Sequence, residues 1–81
     1  MRIRVLAFAR LRELLGAPEI TLELPEGARV VDAWSALAQG CSELDEQRAS
    51  TRAARNGNLV AFEEPLADGD ELAILPPVGG G

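Results

Sequence analysis

The closing stretch Pro65-Leu66-Ala67-Asp68-Gly69-Asp70-Glu71-Leu72-Ala73-Ile74-Leu75-Pro76-Pro77-Val78-Gly79-Gly80-Gly81 decides how the rest of the chain is read. It opens with turn chemistry, Pro65-Leu66 and then Asp68-Gly69-Asp70, residue types that favour tight reversals. Glu71 to Leu75 alternates, with Leu72 and Ile74 facing one way and Ala73 and Leu75 the other, which is the period of a strand between two unlike faces. Pro76-Pro77 stops that strand, because proline brings no N–H to a sheet ladder. Val78-Gly79-Gly80-Gly81 offers nothing to hold a regular element. The reading is a folded domain over residues 1–75 and a flexible tail over 76–81.

Working backwards, Arg52 to Arg55, Asn56-Gly57 and Asn58 to Phe62 read as a hairpin, since Asn-Gly supplies the two positive-φ residues of a tight turn. Residues 41–50 are polar without a clear period and read as a loop with room for one helical turn. Residues 30–39 form the main helix, with Val30, Trp34, Leu37 and Ala38 on one apolar face and Gly40 as its stop. Its N-cap position holds Arg29, whose side chain cannot accept a backbone hydrogen bond, although Asp32 in the first turn suits the positive end of the helix dipole. Glu19 to Leu24 is a strand with Ile20, Leu22 and Leu24 on one side, closed by the turn Pro25-Glu26-Gly27. Ala9 to Gly16 is a short helix, with Leu11, Leu14 and Leu15 at helical spacing and Gly16 as its C-terminal stop. Residues 2–8 are a first strand, Ile3, Val5 and Ala7 alternating with Arg4, Leu6 and Phe8. One amphipathic helix on one face of a mixed sheet makes a two-layer α+β domain.

Composition narrows the chemistry. The chain has 81 residues, 47% hydrophobic and 26% charged, enough for one small core. It has no histidine, no tyrosine and no lysine, its eight cations all being arginine. Ser-His and Cys-His dyads, a Schiff-base lysine and the usual zinc ligand sets are thereby excluded. The single cysteine, Cys41, cannot form an internal disulfide, which fits a reducing compartment and a cytoplasmic protein. Met1-Arg2-Ile3-Arg4 leads straight into a strand pattern and does not read as a signal peptide. No apolar run reaches the roughly 20 residues of a membrane helix. The net charge of −5 and pI near 4.6 argue against nucleic acid as a partner and suit docking on a basic protein surface.

Two places can carry function. Six residues from Pro76 to Gly81 reach roughly 20 Å beyond the sheet, and three glycines can enter a channel too narrow for a side chain. That would present the Gly81 carboxylate to another protein's active site; the plain alternative is a frayed end. The second place is the sheet's open face. If Leu72, Ile74, Ile3 and Val5 face the helix, then Leu75, Leu6 and Phe8 face away from it, and Leu59 joins them from the hairpin. A contiguous apolar patch of this kind marks a docking site, against the plain reading of scattered exposed apolar residues. Asp68-Gly69-Asp70 reads as a solvated turn and not a metal site, Glu63-Glu64 as a solvated loop, and Cys41 as structural or incidental.

Phe8-Ala9-Arg10-Leu11-Arg12-Glu13-Leu14-Leu15-Gly16 matches a "FAxxRELxG" opening segment, and Pro65 to Gly81 matches "PLxDGDEVAxxPPVxGG" to the last residue. On these motifs the chain resembles the molybdopterin synthase small-subunit family, the sulfur carrier subunits, over nearly its whole length. The resemblance implies the ubiquitin-like β-grasp fold. It implies that a ubiquitin-activating-like adenylyltransferase uses ATP to adenylate the terminal carboxylate, and that sulfur then replaces AMP to give a thiocarboxylate on Gly81. The large subunit of a heterotetrameric synthase would then use that sulfur to build the molybdopterin dithiolene, catalysis lying in that subunit. On the same resemblance Gly80 and Gly81 would be the reactive pair, Phe8, Leu59, Leu75, Pro76, Pro77, Val78 and Gly79 would contact partners, and the chain itself would bind no metal or cofactor. Arg29, in place of a Ser/Thr cap, and Arg55, in place of a valine, depart from the family pattern, and Arg55 is expected to make the hairpin's outer face more polar. Residues 39–51 match nothing in it. The alternatives are a thiamine-type sulfur carrier and a ubiquitin-like interaction module that never undergoes acyl activation.

Overall fold

The computed structural model describes residues 1–77. The elements run β1 (Arg2–Ala7), α1 (Ala9–Leu15), β2 (Glu19–Glu23), α2 (Val30–Gln39), a 3₁₀ helix (Ser42–Ser50), β3 (Arg52–Arg55), β4 (Asn58–Val60) and β5 (Glu71–Leu75). The five strands form one sheet in the order β2-β1-β5-β3-β4. β1 and β5 lie parallel at its centre, with Val5 opposite Leu72 and Ala7 opposite Ile74, and every other pair is antiparallel. Bringing the C-terminal strand beside the N-terminal one places the start of the tail at the middle of the sheet.

Strand alternation directs Ile3, Val5, Ala7, Ala53, Leu72 and Ile74 into one core, closed by Val30, Ala33, Trp34 and Leu37 of α2. Leu11 from α1, Leu44 from the 3₁₀ helix and, from the connections, Leu24, Ala28, Phe62 and Leu66 join it. Helical spacing puts Val30, Trp34, Leu37 and Ala38 on the buried face of α2. Ala33 belongs there too and is fully buried, while Ala38 is only partly covered.

The Arg29 cap is weak, as expected, but the helix end is not left unsatisfied. Val30 N–H donates to the Glu64 carbonyl at 3.0 Å and Val31 N–H to the Phe62 carbonyl at 2.9 Å. Asp32 reaches back to accept from the Arg29 N–H at 2.8 Å. This is half of a capping box, because a guanidinium has no lone pair with which to complete the other half. The segment after β4 therefore serves as the cap, which is why β4 ends at Val60 and does not run on to Phe62 as its sequence suggests.

The stretch read as a loop is a nine-residue 3₁₀ helix, Ser42–Ser50. It is pinned by Leu44, which is fully buried, by the Trp34 indole N–H donating to Asp45 Oδ1 at 3.0 Å, and by Arg48 stacked 3.4 Å over the Phe62 ring. Phe62 in turn meets Trp34 edge to face at a centroid distance of 5.9 Å. Among the described residues no helix is long and apolar enough to cross a membrane.

Candidate functional site

The open face of the sheet is read off the strand registers. Leu6 lies opposite Ala73, Ala73 opposite Ala54 and Ala54 opposite Leu59, so these four form one row across β1, β5, β3 and β4. All four point away from the core because their sequence neighbours, Val5, Leu72, Ile74 and Ala53, point into it. One step along, Leu75 lies opposite Arg52 at the end of β5. Phe8 follows Leu6 with extended backbone, and the chain then turns sharply at Ala9, whose φ is +51°. Phe8 is 45% exposed and Leu59 65%, while Leu6 and Leu75 are half-buried by their neighbours. The structure thus brings Phe8, Leu59 and Leu75 onto one face, as strand parity indicates.

The other half of the same face is ionic. Arg2 pairs with Glu23 at 2.6 Å, and Arg4 with Glu71 at 2.9 Å and with Glu19 at 3.7 Å. The Arg2–Glu23 contact is also the main cause of an upward shift of the Arg2 guanidinium, which is charged in either case. These pairs are solvent-exposed and contribute little to stability. Their effect is to confine the apolar patch to the half of the sheet from which the tail leaves.

Pro76 and Pro77 continue directly from Leu75, and Pro77 lines a surface concavity with Ala49, Ser50, Thr51 and Arg52. Val78, Gly79, Gly80 and Gly81 lie outside the described residues, so the expected reactive pair and two of the expected contact residues are not placed. Among the described residues no group of three or more potential metal-ligating side chains comes together.

Three sequence readings near the site are corrected. Asp70 is not part of a solvated turn: it is only 7% exposed and its carboxylate accepts from Arg55 Nε at 2.7 Å, Asn56 Nδ2 at 2.9 Å and Ala67 N–H at 2.7 Å. Burial alone would push this carboxyl up. The bonds from Asn56, the Ala67 N–H and Arg55, with the Arg55 charge, outweigh it and hold Asp70 below the usual carboxylate range. Arg55 does not decorate the outer face of the hairpin. It shares the inward parity of Ala53 and reaches Asp70 and, at 3.1 Å, Glu64, so Glu64 is likewise no free loop residue. The pair ties the Asn56-Gly57 turn to the start of β5. Nothing in the local sequence marks it, since the partners are 15 residues apart. Cys41 is half-buried with its Sγ 3.5 Å from the Leu14 carbonyl, a packing contact between α1 and the 3₁₀ helix.

Residues 5–81 match the model of the ThiS family. A molybdopterin synthase sulfur carrier subunit from Chlamydomonas reinhardtii is 40% identical over all of this chain and all of its own. Small archaeal modifier protein 1 from Haloferax volcanii is 35% identical, over 91% of this chain and 94% of that protein. A solved Pyrococcus furiosus structure, assigned as molybdopterin converting factor subunit 1, superposes with a TM-score of 0.87 at 36% identity, covering 96% of this chain and 99% of that one. A complex of subunits 1 and 2 of the molybdopterin-converting factor from Helicobacter pylori contains a chain similar at a TM-score of 0.70 and 26% identity, with full coverage of both. The fold is therefore the ubiquitin-like β-grasp that the motifs implied.

Proposed function

The chain belongs to the ThiS family, and on that premise we propose that it is the sulfur carrier subunit of a molybdopterin synthase, acting through its terminal glycine. The observation that carries this reading is that the apolar half of the open sheet face ends at Leu75, the residue from which the tail departs. A protein that covers Phe8, Leu59 and Leu75 is in place to receive Pro76, Pro77, Val78 and Gly79 and, at the end of its channel, Gly80 and Gly81. The large subunit of the synthase is that protein, and the assembly of subunits 1 and 2 in the Helicobacter pylori structure supports it.

The chemistry follows from what a carboxylate lacks. It is a poor acyl donor because its leaving group would be oxide. An activating adenylyltransferase joins a Gly81 carboxylate oxygen to the α-phosphorus of ATP, and pyrophosphate leaves. A sulfur nucleophile then attacks the carbonyl carbon and AMP leaves, giving a thiocarboxylate whose sulfur is nucleophilic at neutral pH. The large subunit transfers that sulfur to cyclic pyranopterin monophosphate in building the dithiolene, and water returns Gly81 to a carboxylate. No step draws on a side chain of this protein, in keeping with a chain that has no histidine and no lysine. The protein's own contribution is positioning, and it binds no cofactor itself. The single unpaired thiol and acidic surface suit the cytoplasm.

Reconstitution with a large subunit, activating enzyme, ATP, sulfur donor and precursor tests the reading. Molybdopterin should form only when the thiocarboxylated chain is present. Absence of product with folded, thiocarboxylated protein would overturn it.

A further inference from the structure

Arg52 stands apart among the cations of the open face. Arg2 and Arg4 are matched by acids on that same face, whereas no ion pair joins Arg52 to any acid among the described residues. The lack of an ion pair does not by itself distinguish it, since Arg12, Arg29 and Arg48 also have none among the described residues; what sets Arg52 apart is where it lies.

Its position gives it meaning. Arg52 lies opposite Leu75 in the β3–β5 ladder. It lines one concavity with Pro77 and a second with Leu59 and Phe62. It therefore sits between the root of the tail and the most exposed apolar side chain of the patch. A surface that covers Leu59 and Leu75 and takes in the tail must cover Arg52 as well. Removing a guanidinium from water without a partner is costly, and its planar set of five donors is best met by a carboxylate approaching edge-on.

We infer that Arg52 is a specificity-determining residue of the docking face, and that the partner presents a carboxylate to it beside the mouth of the channel that receives the tail. This rests on the carrier reading above and deepens it by naming the chemistry of the partner surface. The chain's net charge of −5 favours a partner that is basic overall. A lone carboxylate within a basic surface rejects misaligned docking, because any shifted register buries it against the apolar patch.

The local and global electrostatic effects have opposite signs, which makes the inference testable. Arg52→Glu makes the carrier more acidic, so long-range attraction to a basic partner would leave association as fast or faster. Loss of the local pair instead speeds dissociation. Surface plasmon resonance of the full chain on the large subunit should show R52E weakened on the order of 30-fold or more, mainly in dissociation, with R52K in between. Arginine placed at the facing acid of the partner should restore R52E. Melting temperatures should stay near wild type, because Arg52 is exposed. Binding by R52E within twofold of wild type, or a loss confined to association, would overturn the Arg52 assignment and leave the carrier reading intact. No binding by the wild-type chain would overturn the carrier reading, and this inference with it.

Discussion

On the helix side of the sheet Ile3, Val5, Leu72 and Ile74 are at most 1% exposed, whereas one position away in the same strands Arg4 is exposed and Leu6, Ala73 and Leu75 are only half-buried. The inner set is covered by α2 and the 3₁₀ helix, so its apolar character is explained by folding. The outer set has no such cover among the described residues, and its two halves differ: ion pairs around the starts of β1 and β5, apolar side chains toward their ends and across to β4. An ordinary solvated face would carry charge throughout. The apolar half adds little to the stability of the isolated chain, and its placement at the root of the tail is best explained by a partner that covers it.

The sharpest test of this contrast uses neighbours in one strand. Ile74→Asp buries a charge in the core and should cost more than about 4 kcal/mol, enough to unfold a domain of this size. Leu75→Asp should cost the isolated domain less than about 1 kcal/mol in denaturant melts. In calorimetry it should weaken large-subunit binding by about 3 kcal/mol, as hot-spot substitutions do, and Phe8→Asp should behave like it. Equal losses of stability and binding for Leu75→Asp would mean that the faces have been assigned backwards.

A smaller effect is expected where the inner face is held by a charge. Asp70→Asn removes the charge and one of the two oxygens that accept from Arg55, Asn56 and Ala67, and should destabilise the domain by about 2 kcal/mol at neutral pH. Because the folded state holds the Asp70 carboxyl below its usual value, this stability is present above about pH 4 and lost as pH falls through the depressed folded value. Wild type should therefore steepen its loss of stability in that acid range, and the variant should lack this component. A variant with the wild-type acid limb would remove Asp70 from that role. At the bottom of the scale, Arg2→Ala in the ionic half should leave both stability and partner binding indistinguishable from wild type, because the pair it breaks is exposed to solvent. A measurable loss of binding would extend the docking surface across the whole face.

The sequence made some of this visible and hid the rest for physical reasons. Period-two alternation separates Leu72 and Ile74 from Leu75, and Ile3 and Val5 from Leu6, without any knowledge of the fold. Asn56-Gly57 announces its turn, and the two residues take φ of +48° and +88°. Gly16 ends α1 in the left-handed conformation at φ +78°, which a side chain would disfavour. What alternation cannot give is strand order. The row Leu6–Ala73–Ala54–Leu59 exists only because β5 inserts between β1 and β3, and that insertion also puts Arg52 beside Leu75. The 3₁₀ helix leaves no periodic signal in the sequence, because its three-residue turn buries Leu44 alone and makes no amphipathic stripe. Asp70 and Arg55 looked like surface residues because their partner is a turn away in space and 15 positions away in sequence.

The central claim is that the domain positions and Gly81 reacts, and one experiment separates the two. The full chain and a variant lacking Gly81 are incubated with activating enzyme, ATP and a sulfur donor, and intact masses and melting temperatures are recorded. The account predicts that the full chain gains the mass difference of one sulfur replacing one oxygen, while the shortened chain melts at the same temperature and gains nothing. No mass gain in the full chain, or an equal gain after Gly81 is removed, would contradict it.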